Sequence, residues 1–278
     1  MVEENNSLVS ICLITYNSSK FVFETLESAK AQTYQNIELI VSDDCSTDNT
    51  VDICREWIEK NKDRFVRTEL IVVEKNTGIA PNCNRAIKAS RGEWIKFIAG
   101  DDILLPECID IYINKIKSDY NLVYFANVLT VPNDNYYNEY FSLASKILNN
   151  HSYKYQYKYL LKGNIIPAAT SFINRALLIE IGGYDERFQF YEDYPLWIKM
   201  LRHKLCFKFI DDATIVYRIH DQSISQRNNN NLNKNMFSYS AFKYKLFILV
   251  WLQFSSCEIK LTLSSIKYII KYILSCKS

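Results

Sequence analysis

The sequence predicts an α/β fold built on a mostly parallel sheet, and three observations carry that expectation. Short apolar runs alternate with helix-length segments through the first half of the chain. The runs lack the period-two polar face of a half-exposed strand, as strands covered on both faces do. At 278 residues, 48% hydrophobic and 23% charged, the chain can bury the core of one large domain with a small appendage.

Taken in order, Val9 to Thr15 (VSICLIT) is a strand and Lys20 to Ala31 a helix. Ile37 to Ser42 is the next strand, followed by a helix over Val51 to Lys60 that Thr47 or Asp48 is placed to cap. Leu70 to Val73, a helix over Ala80 to Ser90, and Trp94 to Ile98 continue the alternation. Pro106 suits the first turn of a helix reaching about Lys117, and Leu122 to Ala126 is a fifth strand. From Pro132 to Lys162 the chain is rich in Tyr, Asn and Lys and shows poor periodicity. A helix over Arg175 to Ile181 ends at Gly182-Gly183. The segment EDYPLWIKML is helical with Leu196, Trp197 and Met200 inward, and Thr214 to Ile219 is a strand preceded by a loop pair, Asp211-Asp212.

The later part changes character. Residues 226–235 (QRNNNNLNKN) form a polar, low-complexity linker. In the tail over 236–278, Ile259, Leu263, Ile266, Ile270 and Ile273 follow helical spacing beside Lys260, Lys267 and Lys271. Such a helix suits either a membrane interface or packing on the main domain.

Composition narrows the function. A formal net charge of +2 gives no reason to expect a nucleic-acid partner. The eight cysteines include no C-x-x-C pair, which removes the usual zinc and thioredoxin spacings, and Cys12 sits in an apolar run as a small hydrophobe. The opening MVEENNS has no basic and apolar signal pattern, and Leu246 to Cys257 is too short to span a bilayer. The expectation is a cytoplasmic protein, peripheral on the inner membrane face if the tail binds lipid. Neither G-x-x-x-x-G-K-[ST] nor G-x-G-x-x-G occurs, which disfavours a P-loop enzyme and a dinucleotide-dependent dehydrogenase.

Ligands of open α/β sheets bind beyond the carboxyl ends of the strands. The residues found there are Tyr16-Asn17, Asp43-Asp44 and Asp101-Asp102. Paired carboxylates cost free energy unless a cation, hydroxyls or backbone donors compensate them. One such pair fits turn chemistry equally well; two pairs at one sheet edge point to a ligand. A sugar diphosphate held with magnesium or manganese accounts for both, since the cation neutralises charge on the leaving oxygen. In that scheme Asp101 and Asp102 serve the metal, and Asp44 accepts hydrogen bonds from a base or ribose.

The segment from VSICLITYNSS to IVSDDCSTDNT, followed by NTGIAPNCNRAIKASRGEWIKFIAGDD, resembles the nucleotide-binding half of the family 2 inverting glycosyltransferases. GGYDERF, YEDYPLW and YRIHDQSIS resemble later parts of that family in the expected order, so the likeness runs from about Leu8 to Ser225. It implies a Rossmann-like GT-A domain over 1–225, with a nucleotide-sugar half at about 8–127 and an acceptor half at 128–225. It implies Tyr16 and Asp44 at the nucleoside, Asn84 and Arg218 at the donor, and Asp101 at the ribose. Asp102 and His220 become metal ligands, and Asp193 the base that deprotonates the acceptor. Glu192 also suits a first helical turn on dipole grounds alone and Asp193 an N-terminal cap, while His151 and His203 are ordinary surface residues. Many members carry Asp-x-Asp where this chain has Ala99-Gly100-Asp101-Asp102.

The expected activity is transfer from a UDP-hexose or UDP-N-acetylhexosamine to a hydroxyl of a lipid-linked saccharide, in bacterial O-antigen or capsule assembly. Two rivals stand beside it. A non-catalytic sugar-nucleotide-binding subunit is kept open by Ala99, and a nucleotidyltransferase would need a basic triphosphate loop that the sequence does not display.

Overall fold

The computed structural model describes residues 6–118, 121–132, 143–149, 151–188 and 191–220. Its strands are β1 (Val9–Thr15), β2 (Ile37–Asp43), β3 (Arg67–Val72), β4 (Trp94–Ala99), β5 (Ile103–Leu104), β6 (Val123–Val131), β7 (Phe172–Asn174) and β8 (Lys208–Arg218). The helices are α1 (Val22–Lys30), α2 (Thr50–Asn61), α3 (Ile79–Ala89), α4 (Cys108–Ser118), α5 over 143–149, α6 (Tyr153–Leu160), α7 (Arg175–Glu180) and α8 (Asp193–Arg202). All eight strands join one sheet in the order β3-β2-β1-β4-β7-β6-β8-β5.

The first half is the parallel sheet that the apolar runs predict. β1 lies between β2 and β4, with β3 outside β2, all parallel. Every residue of β2 is buried, and so is every residue of β1 except Ile14, which explains why neither shows a polar face. The second half is mixed: β7 pairs antiparallel with β4 and β6, β5 antiparallel with β8, and β6 parallel with β8. Asp211-Asp212 is not the expected loop. It lies inside β8, opposite a register shift around Asn127, where the Asn127 amide donates to the Asp211 carbonyl at 2.6 Å. A bulge absorbs the extra residues while the strand continues.

Of the residues expected to cap α2, Asp48 accepts the backbone N–H of Thr50 at 3.0 Å. The α8 prediction holds: Leu196, Trp197 and Met200 are all buried. The linker and tail expected over 226–278 fall outside the described residues. Among the described residues no helix is long and apolar enough to cross a membrane.

Two buried charges organise the interior of the sheet. Glu38 accepts from the Ser10 hydroxyl at 2.6 Å, the Gly92 N–H at 3.0 Å and Arg67 at 2.9 Å, at the edge opposite the carboxyl ends of the strands. Lys96 is fully buried in β4 and donates to the carbonyls of Phe97 at 2.8 Å and Ala169 at 2.5 Å. It thereby ties the first half of the sheet to the turn before β7. Burial pulls the Lys96 ammonium down from 10.5 to about 8, against the charges of Cys108 and Asp102. Between those two pH values the unfolded chain binds more protons at this site than the folded one, so folding is favoured increasingly as pH rises. Wild-type protein should therefore gain stability relative to Lys96→Met as pH climbs from about 8 to 10.5. Urea melts of both proteins across that window would read the difference, and parallel pH curves would contradict it.

Candidate active site

Register alone brings the expected residues together. Thr15 pairs with Asp43 and Ile14 with Ala99, so the loops after β1, β2 and β4 leave the sheet side by side. The backbone N–H of Asp44 donates to Thr15 O and that of Gly100 to Ile14 O, both at 3.0 Å. Gly100 is required by this crowding, since a Cβ there would lie 2.8 Å from the Ser18 hydroxyl and 3.0 Å from a Thr15 methyl.

The two carboxylates after β2 act as an internal clamp. Asp43 is buried and accepts from Thr15 Oγ1 at 2.8 Å, from the Ser46 N–H at 2.7 Å and from the Ser46 hydroxyl at 2.6 Å. Asp44 is 2% exposed and accepts from the Thr77 N–H at 2.9 Å, the Thr77 hydroxyl at 2.7 Å, the Gly78 N–H at 2.6 Å and Arg85 at 2.7 Å. Asp48 continues the lacing by accepting from the Ser19 N–H at 3.1 Å. Burial raises Asp48, but its bonds from Thr50 and Ser19 outweigh that and hold it below the usual range. Tyr16 stands at this edge, 43% exposed.

Arg85 was not singled out in the sequence, although it belongs to the Asn-Arg-Ala step. Its neighbour Asn84, nominated for the donor, has both ends of its amide engaged elsewhere. It donates to Tyr184 O at 3.0 Å and Glu186 at 2.8 Å, and accepts from the Tyr184 N–H at 2.8 Å. Adjacent helical positions point about 100° apart, so only one of the pair faces Asp44.

The second acidic pair gathers the residues nominated from the far end of the chain. Asp102 is 2% exposed, and its carboxylate accepts the Arg218 N–H at 3.0 Å. Its own carbonyl accepts from the Thr25 hydroxyl at 2.7 Å. Asp101 lies 3.1 Å from His220 Nε2, and its carbonyl is 3.3 Å from the Arg218 guanidinium. Two residues from α1 and its approach complete the cluster unforeseen. Glu24 forms an ion pair with Arg218, and the Phe21 ring lies 4.5 Å from the His220 ring and 5.3 Å from the Arg218 guanidinium. Nearly two hundred residues separate Glu24 from Arg218, which leaves no local pattern to find.

Burial, then the charge of Asp101, pushes Asp102 well above the carboxylate range, against the Arg218 N–H and Lys96. A divalent cation would reverse that balance, because its own charge dominates local ionisation. Among the described residues no three His, Cys, Asp or Glu side chains gather as a metal cage. Magnesium and manganese commonly take one or two carboxylates and fill the remaining positions with phosphate oxygens and water, so Asp101 and Asp102 are compatible with such an ion without a third protein ligand.

A separate carboxyl pair opens α8. Asp193 accepts from the Asn164 amide and the Tyr194 N–H, both at 2.7 Å. Asp193 is raised by burial, against those two hydrogen bonds. Glu192 is raised to about 8, by burial and then by the charge on Asp193. Adjacent carboxyls disfavour each other's charge, so their protons come off in two steps that belong to the pair.

A sheet with acidic loops at its carboxyl edge, a basic pair closing on them and a half-buried carboxyl pair beyond fit a nucleotide-sugar-type transferase. The glycosyl transferase family 2 model matches residues 10–182, and the chain belongs to that family. It is 31% identical over 221 residues to Escherichia coli WfaP, a UDP-Glc:α-D-GlcNAc-diphosphoundecaprenol β-1,3-glucosyltransferase, covering 78% of this chain and 80% of that protein. It is 29% identical over 242 residues to the Rickettsia typhi glycosyltransferase RT0329, covering 86% and 72% of the two chains. Among solved structures, the Pyrobaculum calidifontis mannosyltransferase PcManGT with GDP-Man and Mn2+ superposes with a TM-score of 0.68 at 18% identity, covering 96% of this chain and 73% of that one. S. aureus TarS 1–349 with UDP-GlcNAc gives 0.64 at 18% identity over 94% and 81%. The GT-A fold is thus established for this chain.

Gly183 joins the two halves of the site. It has φ +59, and a Cβ there would sit 2.4 Å from Asn84 Oδ1. Gly183→Ala should destabilise the protein by roughly 1–3 kcal/mol through strain and the displaced Asn84–Tyr184 contact. A denaturant midpoint equal to wild type would show that the turn relaxes freely.

Proposed function

We propose that this chain transfers a sugar from a UDP-sugar to a hydroxyl of a lipid-linked saccharide, with inversion at the anomeric carbon. The observation that carries the reading is Asp193, a carboxylate raised by burial and held by Asn164 and Tyr194, standing apart from the metal-type acidic pair. WfaP, named for a UDP-sugar donor and a diphosphoundecaprenol-linked acceptor, favours that donor and acceptor class. The TarS complexes with UDP and UDP-GlcNAc favour the same nucleotide. Synthesis of a bacterial surface polysaccharide, O-antigen or capsule, is the setting that fits such a reaction.

Tyr16 offers an exposed ring to the nucleoside at the end of β1. Asp44 serves the base or ribose when a donor exchanges for part of its Thr77 and Arg85 contacts. Asp101 faces the ribose, and Arg218 balances negative charge on the diphosphate. Asp102, with His220, would hold magnesium or manganese, which supplies positive charge to the departing diphosphate. Asp193 takes the proton of the acceptor hydroxyl as that oxygen bonds to C1. The bond from C1 to the diphosphate oxygen breaks with its electron pair leaving on the diphosphate. Glu192 is raised by burial and by the charge on Asp193, which favours Asp193 as the base.

Asp193→Asn removes the proton acceptor while keeping size, and should lower kcat roughly 10²- to 10⁴-fold with donor affinity nearly unchanged. Asp44→Asn should show the converse, weakened donor binding first. Excess chelator should abolish transfer, and Asp102→Ala should weaken metal-dependent nucleotide binding. Because burial raises Asp193 and the base must be ionised, the acid limb of the kcat profile should lie above the ordinary carboxylate range. A panel of UDP-, GDP- and dTDP-sugars assayed for transfer tests the whole reading. Near-normal turnover by Asp193→Asn, or full activity in chelator, would refute the corresponding assignment.

A further inference from the structure

Helix α6 presents two different faces. Its inner face is fixed by Gln156, which is fully buried and donates to Leu148 O at 2.7 Å and Phe207 O at 2.9 Å while accepting the Phe207 N–H at 2.8 Å. The Tyr194 hydroxyl donates to Leu160 O and holds the C-terminal end against α8. These contacts leave no rotational freedom about the helix axis, so the outer face is determined. It carries Lys154 and Lys158, exposed and four residues apart on one helical row, and exposed Lys162 follows in the turn just past the helix end. Beside that row runs an aromatic ladder. His151 stacks on Tyr155 at 3.8 Å, Tyr155 is followed by Tyr159 at 6.5 Å, and the Lys162 ammonium lies 5.3 Å from the Tyr159 ring. Tyr155 is 44% exposed.

The two segments that form this face carry charge of one sign. No Asp or Glu occurs between 151 and 164, or between 194 and 210. The second segment leaves α8 through exposed Arg202, His203 and Lys204 and returns to α6, where the Cys206 thiol lies 3.6 Å from His151 O. The whole chain has a formal net charge of only +2, so the asymmetry is local. A row of exposed lysines beside tyrosine edges matches a bilayer interface. Ammonium groups there meet anionic headgroups, and tyrosine rings sit at headgroup depth.

We infer that the outer face of α6, extended by the turn after α8, docks this protein on an anionic lipid surface. The inference stands on the charge distribution and does not depend on the identity of donor or acceptor. It carries a consequence for the site: Asn164, two residues beyond Lys162, donates to Asp193. Docking through α6 would therefore bring the candidate base to the lipid surface, where a lipid-linked acceptor is presented.

The test uses the full chain and phosphatidylcholine vesicles with and without phosphatidylglycerol. Wild-type protein should sediment with the anionic vesicles only, and less so as salt rises. The triple variant Lys154→Gln, Lys158→Gln, Lys162→Gln should partition roughly a hundredfold more weakly, from the usual strength of lysine contacts at such surfaces. Its thermal unfolding midpoint should match wild type, since all three side chains are exposed. A second variant, Lys260→Gln, Lys267→Gln, Lys271→Gln, separates this face from the tail. Unchanged binding by the α6 variant, loss of binding by the tail variant alone, or equal binding to neutral vesicles would each overturn the inference. None of these readouts uses a sugar nucleotide, so failure here and failure of the proposed transfer reaction are distinguishable.

Discussion

A carboxylate can end a buried strand only if the chain around it supplies donors, and Asp43 and Asp44 make that demand twice in succession. The donors come from separate places: Thr15 at the end of β1, Ser46 in the following turn, and Thr77, Gly78 and Arg85 before and within α3. Each is held in turn by a strand or helix whose position the sheet sets. The loop at 16–19 then has little choice, because Ser46 receives the Asn17 N–H, Thr50 the Ser18 N–H and Asp48 the Ser19 N–H. Breaking one carboxylate would leave several backbone and hydroxyl donors without partners at once. The acidic motif after β2 is therefore the frame of this edge of the sheet.

The other half of the molecule is fastened to that frame by charge and not by apolar packing alone. Lys96 reaches from β4 to the turn at Ala169, and Tyr112 donates to Thr170 O one residue further on. Arg218 and His220, at the end of β8, close on Asp101, Asp102, Phe21 and Glu24. The two ties meet electrostatically, since Lys96 and Arg218 both oppose the rise in Asp102. A change at Lys96 would thus reach the acidic pair without touching it.

How much of this was legible depended on the range of the interaction. Val9–Thr15 agrees residue for residue with the strand expected from its apolar run, β2 and β4 differ by a residue at one end, and α3 by a residue at each end. Burial on both faces imposes composition directly, and composition can be read. β5 and β7, of two and three residues, are too short for any period to emerge. α6 was hidden for a different reason: Tyr153, Tyr157 and Tyr159 pack only partly against the core, and a polar residue, Gln156, fills the interior, so no apolar repeat shows. The nominated residues Asp101, Asp102, Arg218 and His220 meet in one cluster, because the carboxyl edge of the sheet follows from strand order. Glu24 and Phe21 could not be nominated, since only tertiary contact gives them a role. Asn84 and Arg85 show the limit of a motif, which marks a turn of helix but not which side chain faces the site.

The departure at Ala99 follows from the same charge accounting. Ala99 is exposed at the end of β4, immediately before the Gly100 that the crowded loop requires. An acid there would add a third carboxylate beside Asp101 and Asp102 at an edge where Arg218 and His220 are the cationic or hydrogen-bonding partners in contact. With alanine, the edge keeps two carboxyls, one facing His220 and one facing the Arg218 N–H. Glu24 already takes part of the Arg218 charge from the α1 side. Arg218 and His220 thus have their acidic partners without an acid at position 99. With alanine there, Asp101 and Asp102 remain the acidic pair of this edge and the exposed end of β4 adds no further charge beside them.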